Sequence, residues 1–309
     1  MATAGNEQVV QVEGHRLVLR NLDKVLYPAT GTTKGEVLHY VASIAPTMLP
    51  HLRDRPMTRM RWPDGADGPM FVEKNLPRGT PSWVRTVRLP VPGSAADRET
   101  IDYPIVDDLA TLIWATNLAA LELHVPQWTV GPRGAVHAPD RLVIDLDPGA
   151  PAGLPECAQV ARAVRERLAD DGLQAFAVTS GSKGMQLYAA ISGRQDADAA
   201  REYARWLAEA LERQLPRLVV SRMTKSLRPG KVLVDWSQNH PAKTTIAPYS
   251  LRGRDSPWVA APRGWDELED GAAKGLRQLT ADEVLTRIGD GGDPLAPLLE
   301  PGPRLPAHG

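Results

Sequence analysis

The stretch Arg141-Leu-Val-Ile-Asp145-Leu-Asp147-Pro148-Gly149 carries an apolar run into two aspartates one residue apart and then into a Pro-Gly turn. Alternate residues of a β-strand project to one face, so the spacing predicts a strand on which Asp145 and Asp147 point together while Leu146 turns toward the core. Pro148-Gly149 ends that strand. Two carboxylates held side by side repel, and a hard divalent cation such as Mg²⁺ or Mn²⁺ relieves the repulsion with oxygen ligands. Taken alone, the stretch also fits a plainer reading, a strand end with two solvated carboxylates.

The flanking sequence alternates strands and helices. Downstream, residues 155–168 place Val160, Val164 and Leu168 in line on a helix. Residues 174–178 and 185–191 read as strands around the turn Thr179-Ser180-Gly181-Ser182-Lys183-Gly184, 196–215 as a helix, 231–235 as an apolar strand and 280–288 as a short helix. Upstream, 15–20 is a strand, and Val37, Val41, Ile44 and Met48 predict a helix over 34–49 with Pro50 just past its end. Residues 55–61 and 70–73 read as short strands flanking Pro63-Asp64-Gly65. The broadest apolar face belongs to 104–121, built on Ile105, Leu109, Leu112, Ile113, Thr116, Leu118 and Leu121, with Asp107 and Asp108 suiting a positive helix N-terminus. Residues 90–99 lack periodicity and read as an exposed loop. The pattern implies α+β: mixed α/β layers around a central, mostly antiparallel sheet rather than a helical bundle. No internal repeat and no clear boundary interrupts residues 1–290, and the proline-rich 291–309 reads as an irregular tail or linker.

Composition removes several classes of function. No apolar run approaches the roughly eighteen residues that would span a bilayer, and the N-terminus lacks a basic segment followed by an apolar one. The expected location is therefore cytoplasmic, and no membrane partner is expected. The single cysteine, Cys157, excludes an internal disulfide framework and a cysteine-based zinc site. Net charge is −1, from 36 Lys+Arg against 37 Asp+Glu. Such a balance is compatible with a nucleic-acid binder if the cations are gathered on one face. Two gatherings stand out, Arg53, Arg55, Arg59 and Arg61, and Arg222, Lys225, Arg228 and Lys231; each also fits a solvated rim.

A second strand, Lys231-Val-Leu-Val-Asp235, ends in an acid like the first. If the two are neighbours in one sheet, Asp235 completes a triad with Asp145 and Asp147 around two metal ions, the clamp used for in-line phosphoryl transfer. Three acids alone would equally suit a nuclease or a phosphatase. The turn Thr179–Gly184 adds glycines that let backbone approach an anion, hydroxyl donors, and the positive charge of Lys183. Its spacing is not that of a P-loop, and a glycine-serine hairpin is often only a turn. Arg252 and Arg254 could reach the same phosphates by bidentate contacts, and His124 could donate to one.

These residues resemble the polymerase domain of bacterial DNA ligase D, in the archaeo-eukaryotic primase superfamily, from about residue 15 to about residue 290. The resemblance is carried in order by Asn21-Leu-Asp-Lys-Val-Leu-Tyr-Pro28, Glu122-Leu-His-Val-Pro-Gln127, Asp145-Leu-Asp147-Pro, Ser180-Gly-Ser-Lys-Gly-Met-Gln186, Lys225-Ser-Leu-Arg228, Asp235-Trp-Ser-Gln-Asn239 and Pro248-Tyr-Ser-Leu-Arg-Gly-Arg254. It implies a primase-type catalytic core in which Asp145, Asp147 and Asp235 hold two Mn²⁺ or Mg²⁺ ions. It implies that His124, Ser180, Lys183 and Arg252 grip a nucleoside triphosphate, that Gln238 and Arg254 support that pocket, and that Arg228 lies in a mobile loop beside it. It also implies that Asn21, Lys24 and Lys34 hold the 5′-phosphate of a downstream strand, that Phe71 stacks on the template, and that ribonucleotides are preferred.

The sequence departs from this pattern at three places. Val72 stands where a second stacking aromatic can occur, Met60 stands where a relative has a lysine, and the 90–99 loop is longer and richer in proline. The function implied is extension of a primer 3′-hydroxyl by one or a few nucleotides at gaps or broken DNA ends, working with a DNA ligase and an end-binding protein in repair at the nucleoid. Two other readings stay open on the residues themselves: a non-catalytic DNA-end binding module that recruits a ligase, and a primase that starts chains de novo.

Overall fold

The computed structural model of the chain describes residues 7–90, 99–269 and 273–307. β1 (Glu7–Val12) and β2 (His15–Arg20) pair as an antiparallel hairpin, followed by the small pair β3 (Val25–Tyr27) and β4 (Thr32–Thr33). Thr33 then caps α1 (Lys34–Leu52). Its hydroxyl accepts from the Glu36 N–H, and the Glu36 carboxylate accepts from the Thr33 N–H. After it come β5 (Thr58–Arg61), β6 (Phe71–Glu73), the hairpin β7 (Thr86–Pro90) with β8 (Thr100–Pro104), α2 (Leu109–Asn117) and β9 (Ala120–Val125). The second half holds β10 (Arg141–Pro148), α3 (Leu154–Asp170), β11 (Phe176–Thr179), β12 (Met185–Ala190), α4 (Ala197–Gln214), β13 (Val219–Val220) and β14 (Val232–Asp235). It closes with β15 (Thr245–Ile246), β16 (Trp258–Val259), β17 (Ala261–Arg263), β18 (Leu279–Thr280) and α5 (Ala281–Gly291).

Two sheets position the chemistry. The larger runs β13-β14-β10-β12-β11-β17 and is antiparallel except for the parallel β13–β14 pair. The smaller runs β15-β9-β5-β6, antiparallel throughout. The α+β expectation holds. Along β10, Leu142, Ile144 and Leu146 pack with α3 and α4 in one core, whereas Val143 joins the core that contains α1 and α2. Asp145 and Asp147 share the parity of Val143 and therefore its face, on the side away from α3 and α4. Among the described residues no helix is long and apolar enough to cross a membrane.

Several expected elements take a different form. The helix expected over 104–121 is only Leu109–Asn117. Asp108 caps it, accepting from the Thr111 N–H at 2.6 Å, and Ala119 at φ +60° ends it. On one side Pro104 ends β8 and Ile105 makes only an isolated bridge; on the other, Ala120 and Leu121 already belong to β9, which is buried at every position. A fully buried strand shows no alternation, and a short apolar run then reads the same in either conformation. α1 runs past Pro50 to Leu52, since Met48, His51 and Leu52 are all buried and packing carries the helix through its proline. In the segment after Gly291, expected as a tail or linker, Leu295 and Leu298 enter the first core and Leu305 the second. Most of the 90–99 loop lies outside the described residues.

Candidate active site

Antiparallel pairing sets Asp235, the last residue of β14, directly opposite Asp145 on β10. One carboxylate oxygen from each of Asp145, Asp147 and Asp235 lies within 4.8 Å of the other two, the only such acidic cluster found among the described residues. Asp145 and Asp235 are each 9% exposed, while Asp147 opens to solvent. Burial, then the neighbouring charges of Asp147 and Asp235, push the Asp145 carboxyl up to about 8, against a bond from Gln186 and the charge of Arg252. Burial and the charge of Asp235 raise Asp147 as well. Three crowded carboxylates, of which Asp145 and Asp147 resist losing their protons, form a donor set suited to hard divalent cations, which neutralise what the protein alone leaves repulsive. Asp235 is oriented by the Ser237 N–H at 2.9 Å and the Ser237 hydroxyl, and Lys243 Nζ stands 3.8 Å from its other oxygen.

The chain presses closely against Asp147 from two sides. A Cβ on Gly184 would lie 2.1 Å from the Leu146 carbonyl oxygen, and one on Gly149 would lie 2.2 Å from that of Arg228. Only glycine permits these approaches. They bring the Thr179–Gly184 turn and the Arg228 segment against the end of β10. Gln278 staples the turn, accepting from the Gly181 N–H at 2.7 Å.

An open cavity of about 320 Å³ lies over the aspartates. Asp145, Asp147 and Gln186 line it from the larger sheet, Ser180 and Lys183 from the turn, His124 from β9, Gln238 from the segment after Asp235, and Arg252 and Arg254 from the loop before β16. Residues spread over five blocks of sequence therefore surround one space that is acidic at one side and cationic at the other. Arg228 is not among the lining residues. Its guanidinium donates to the Met223 carbonyl at 2.8 Å, and its charge draws the Asp147 carboxyl downward.

Sequence reasoning missed two lining or supporting groups. Gln186 pairs across the sheet with Asp145 and bonds it; it stood inside a quoted block without a role. Glu122, buried beneath the cavity, touches both His124 and Arg252. Its signal was the Glu-Leu-His spacing, which puts the two side chains on one face of a strand.

Asn21, Lys24 and Lys34 gather elsewhere, at the N-terminus of α1, where the Lys34 N–H donates to the Lys24 carbonyl at 2.8 Å and the Lys24 N–H to that of Asn21 at 3.0 Å. Burial first, then the charges of Lys24 and Arg20, bring Lys34 down to about 8. Lys24 Nζ pairs with Asp64 at 3.1 Å, while Lys34 Nζ donates to the Arg20 carbonyl at 2.7 Å, beside a helix N-terminus whose dipole adds to the positive potential. Phe71 is 50% exposed on β6, at the edge of the smaller sheet, beside exposed Met70 and Val72. The two cationic gatherings differ. Arg222 and Lys225 are exposed, whereas Arg55 is buried against Asp140 and Arg59, fully buried, stacks over Trp114 beside Glu73.

Comparison with known proteins places this geometry in context. A family model described as the LigD primase-polymerase domain matches residues 33–295. The multifunctional non-homologous end joining DNA repair protein LigD of Mycobacterium tuberculosis is 52% identical over 283 residues, covering 90% of this chain and 36% of the relative. The bifunctional LigD of Bacillus subtilis is 31% identical over 280 residues, covering 90% of this chain and 43% of the relative. The chain thus spans well under half the length of these relatives. Among solved structures, the polymerase domain of Mycobacterium tuberculosis ligase D in complex with DNA superposes with a TM-score of 0.86 at 50% identity, covering 93% of this chain and 99% of that one.

Proposed function

This chain belongs to the LigD primase-polymerase domain family, and from that premise we propose that it is a template-directed nucleotidyltransferase of DNA end joining. It extends a primer 3′-hydroxyl by one or a few nucleotides at gaps or broken ends that carry a 5′-phosphate. The observation that carries the reading is the acidic triad of Asp145, Asp147 and Asp235 beside a cavity lined with Ser180, Lys183, Arg252 and Arg254. A nuclease needs the acids too, but one scissile diester carries less charge than a triphosphate and calls for fewer cationic partners than Lys183, Arg252 and Arg254 provide.

Bound between the three carboxylates, a pair of Mg²⁺ or Mn²⁺ ions would supply charge neutralisation and a lowered pKa for the attacking hydroxyl. The chain's own residues bind and orient. Lys183, Arg252 and Arg254 meet a triphosphate with charge, Ser180 and the backbone of its turn with neutral donors, and Gln186 holds Asp145 in place. In-line transfer needs little else from the protein, because positioning and electrostatics supply most of the rate. Lys24, Lys34 and Asn21 receive the 5′-phosphate, which as a terminal group carries more charge than an internal diester. Exposed Phe71 offers one ring on which a template base can stack. Preference for ribonucleotides is carried over from the family resemblance, as is partnership with a DNA ligase and an end-binding protein.

The test is primer extension on a gapped duplex with labelled ribo- and deoxyribonucleotides in parallel, with Mg²⁺ and with Mn²⁺. The wild type is expected to add one or a few nucleotides, ribonucleotides more readily. Asp145→Ala with Asp147→Ala is expected to abolish extension while DNA binding persists. Extension retained by that double variant would overturn the assignment.

A further inference from the structure

Glu122 lies two residues before His124 on β9, so both side chains leave one face of the smaller sheet. Its carboxylate gathers three contacts. Oε2 stands 2.8 Å from His124 Nε2 and 3.0 Å from Arg252 Nη1, and Oε1 accepts from the Gly253 N–H at 3.1 Å. Glu122 is 5% exposed, and burial would raise its carboxyl, but His124, Arg252 and the Gly253 N–H together bring it below its ordinary value. The group is a carboxylate, an acceptor only.

That fact dictates the state of the histidine. An acceptor at Nε2 holds the ring proton there. Among the described residues Nδ1 has no hydrogen-bond partner, on a ring that lines the cavity. In the neutral ring with its proton on Nε2, Nδ1 is a lone pair, which a phosphate oxygen repels; only an N–H can meet it.

Resting on the reading of the cavity as a triphosphate site, we propose that Glu122 is the positioning residue of that site. It aims the Arg252 guanidinium into the cavity and supplies the counter-charge for a doubly protonated His124, so that binding a nucleoside triphosphate draws one proton from solvent onto Nδ1. The charged groups around the ring are Glu122 on its own strand, Arg252 from the loop before β16, and, lining the same cavity, Asp145 and Asp147 of β10 with Lys183 and Arg254. The neighbouring strands meet His124 with Thr58 of β5 and Ile246 of β15, neither of which titrates.

The experiment counts protons. Nucleoside triphosphate is titrated calorimetrically into the full chain at about pH 8, where a histidine ring ordinarily has room to gain a proton. The chain is first saturated with Mg²⁺, so that proton release from the aspartates is complete, and buffers of different ionisation enthalpy are compared. Wild type is expected to take up close to one proton per nucleotide bound, and His124→Asn none. Glu122→Asp keeps the charge and is expected to keep the uptake. Glu122→Gln offers an amide N–H to Nε2, which turns a neutral ring so that Nδ1–H meets the phosphate; uptake disappears and binding weakens roughly 10- to 100-fold, the scale of one charge-assisted hydrogen bond. Binding by the wild type with no more uptake than His124→Asn, or undiminished uptake in Glu122→Gln, would overturn the proposal and leave the triphosphate site standing. A wild type that binds no nucleotide at all would sink both.

Discussion

At Lys34 one buried group ties stability to the proposed recognition of a 5′-phosphate. Its ammonium donates to the Arg20 carbonyl at 2.7 Å, and burial with the nearby charges of Lys24 and Arg20 holds it at about 8, below the ordinary lysine value. Charging it costs the folded chain stability below about pH 8, and that cost fades as pH rises toward the unfolded value. Recognition runs the opposite way, because only the ammonium attracts a phosphate. Stimulation of extension by a 5′-phosphate is therefore expected to fall between about pH 7 and about pH 9.5, and Lys34→Arg, which stays charged, is expected to hold it. Changing Lys24 and Lys34 together to Ala should erase the preference for a 5′-phosphorylated gap over a plain one; a persisting preference would put the phosphate elsewhere. Gly184 sets a steric condition of the same sharpness. Its α-carbon faces the Leu146 carbonyl so closely that Gly184→Ala must move backbone, at roughly 1–3 kcal/mol by urea unfolding and with loss of extension, since the displaced strand carries Asp145 and Asp147.

At the scale of elements, β3 joins the two proposed recognition sites. It follows directly from Asn21 and Lys24, and Tyr27, fully buried at its end, donates its hydroxyl to the Arg252 carbonyl at 2.8 Å. Gly253 beside it packs on Trp62 so tightly that a Cβ would lie 2.3 Å from the ring. Tyr27→Phe removes one buried hydrogen bond, worth about 1 kcal/mol. It should raise the KM for nucleotide several-fold and shrink the effect of a 5′-phosphate on that KM; an unchanged KM would show that Arg252 is held without it. The elements themselves were unevenly legible. The helices 155–168 and 196–215 differ from α3 and α4 by a residue or two, because one face of each meets water and the period of 3.6 survives. Residues 104–121 misled because Ile105 and Leu121 are buried as fully as Leu112 and Ile113, and burial on all sides erases the period.

At the scale of the whole molecule, ion pairs tie α5 to the edge strand β17 of the larger sheet. Glu267 takes Arg263 of β17 and Arg287 of α5 at 2.8 Å each. Burial works against its charge, yet Arg287, the Gly264 N–H and Arg263 hold its carboxyl down at about 2. A depressed carboxylate contributes stability above its unfolded value near 4.5, and that contribution is lost as pH falls from there toward 2. After allowance for solvent screening the contribution is about 1–2 kcal/mol, so Glu267→Gln should lower stability by that much at neutral pH and by little near pH 2, read by urea unfolding at the two pH values. Leu298 fastens the segment after α5 in the same sense; Leu298→Ala should cost about 2–4 kcal/mol.

By itself the sequence determined that Asp145 and Asp147 share a face, that glycines and a lysine occupy the turn before β12, and that acids end two apolar strands. Strand parity, turn chemistry and helical period are relations between chain neighbours, and they survive in almost any fold. Only the tertiary structure decided that Asp235 stands opposite Asp145 and that Glu122 reaches Arg252 across 130 residues of chain. It also decided that Arg59 serves the core rather than a nucleic-acid face. Each of those outcomes depends on register and packing between distant segments, where a buried charge is stable only once its partner has arrived.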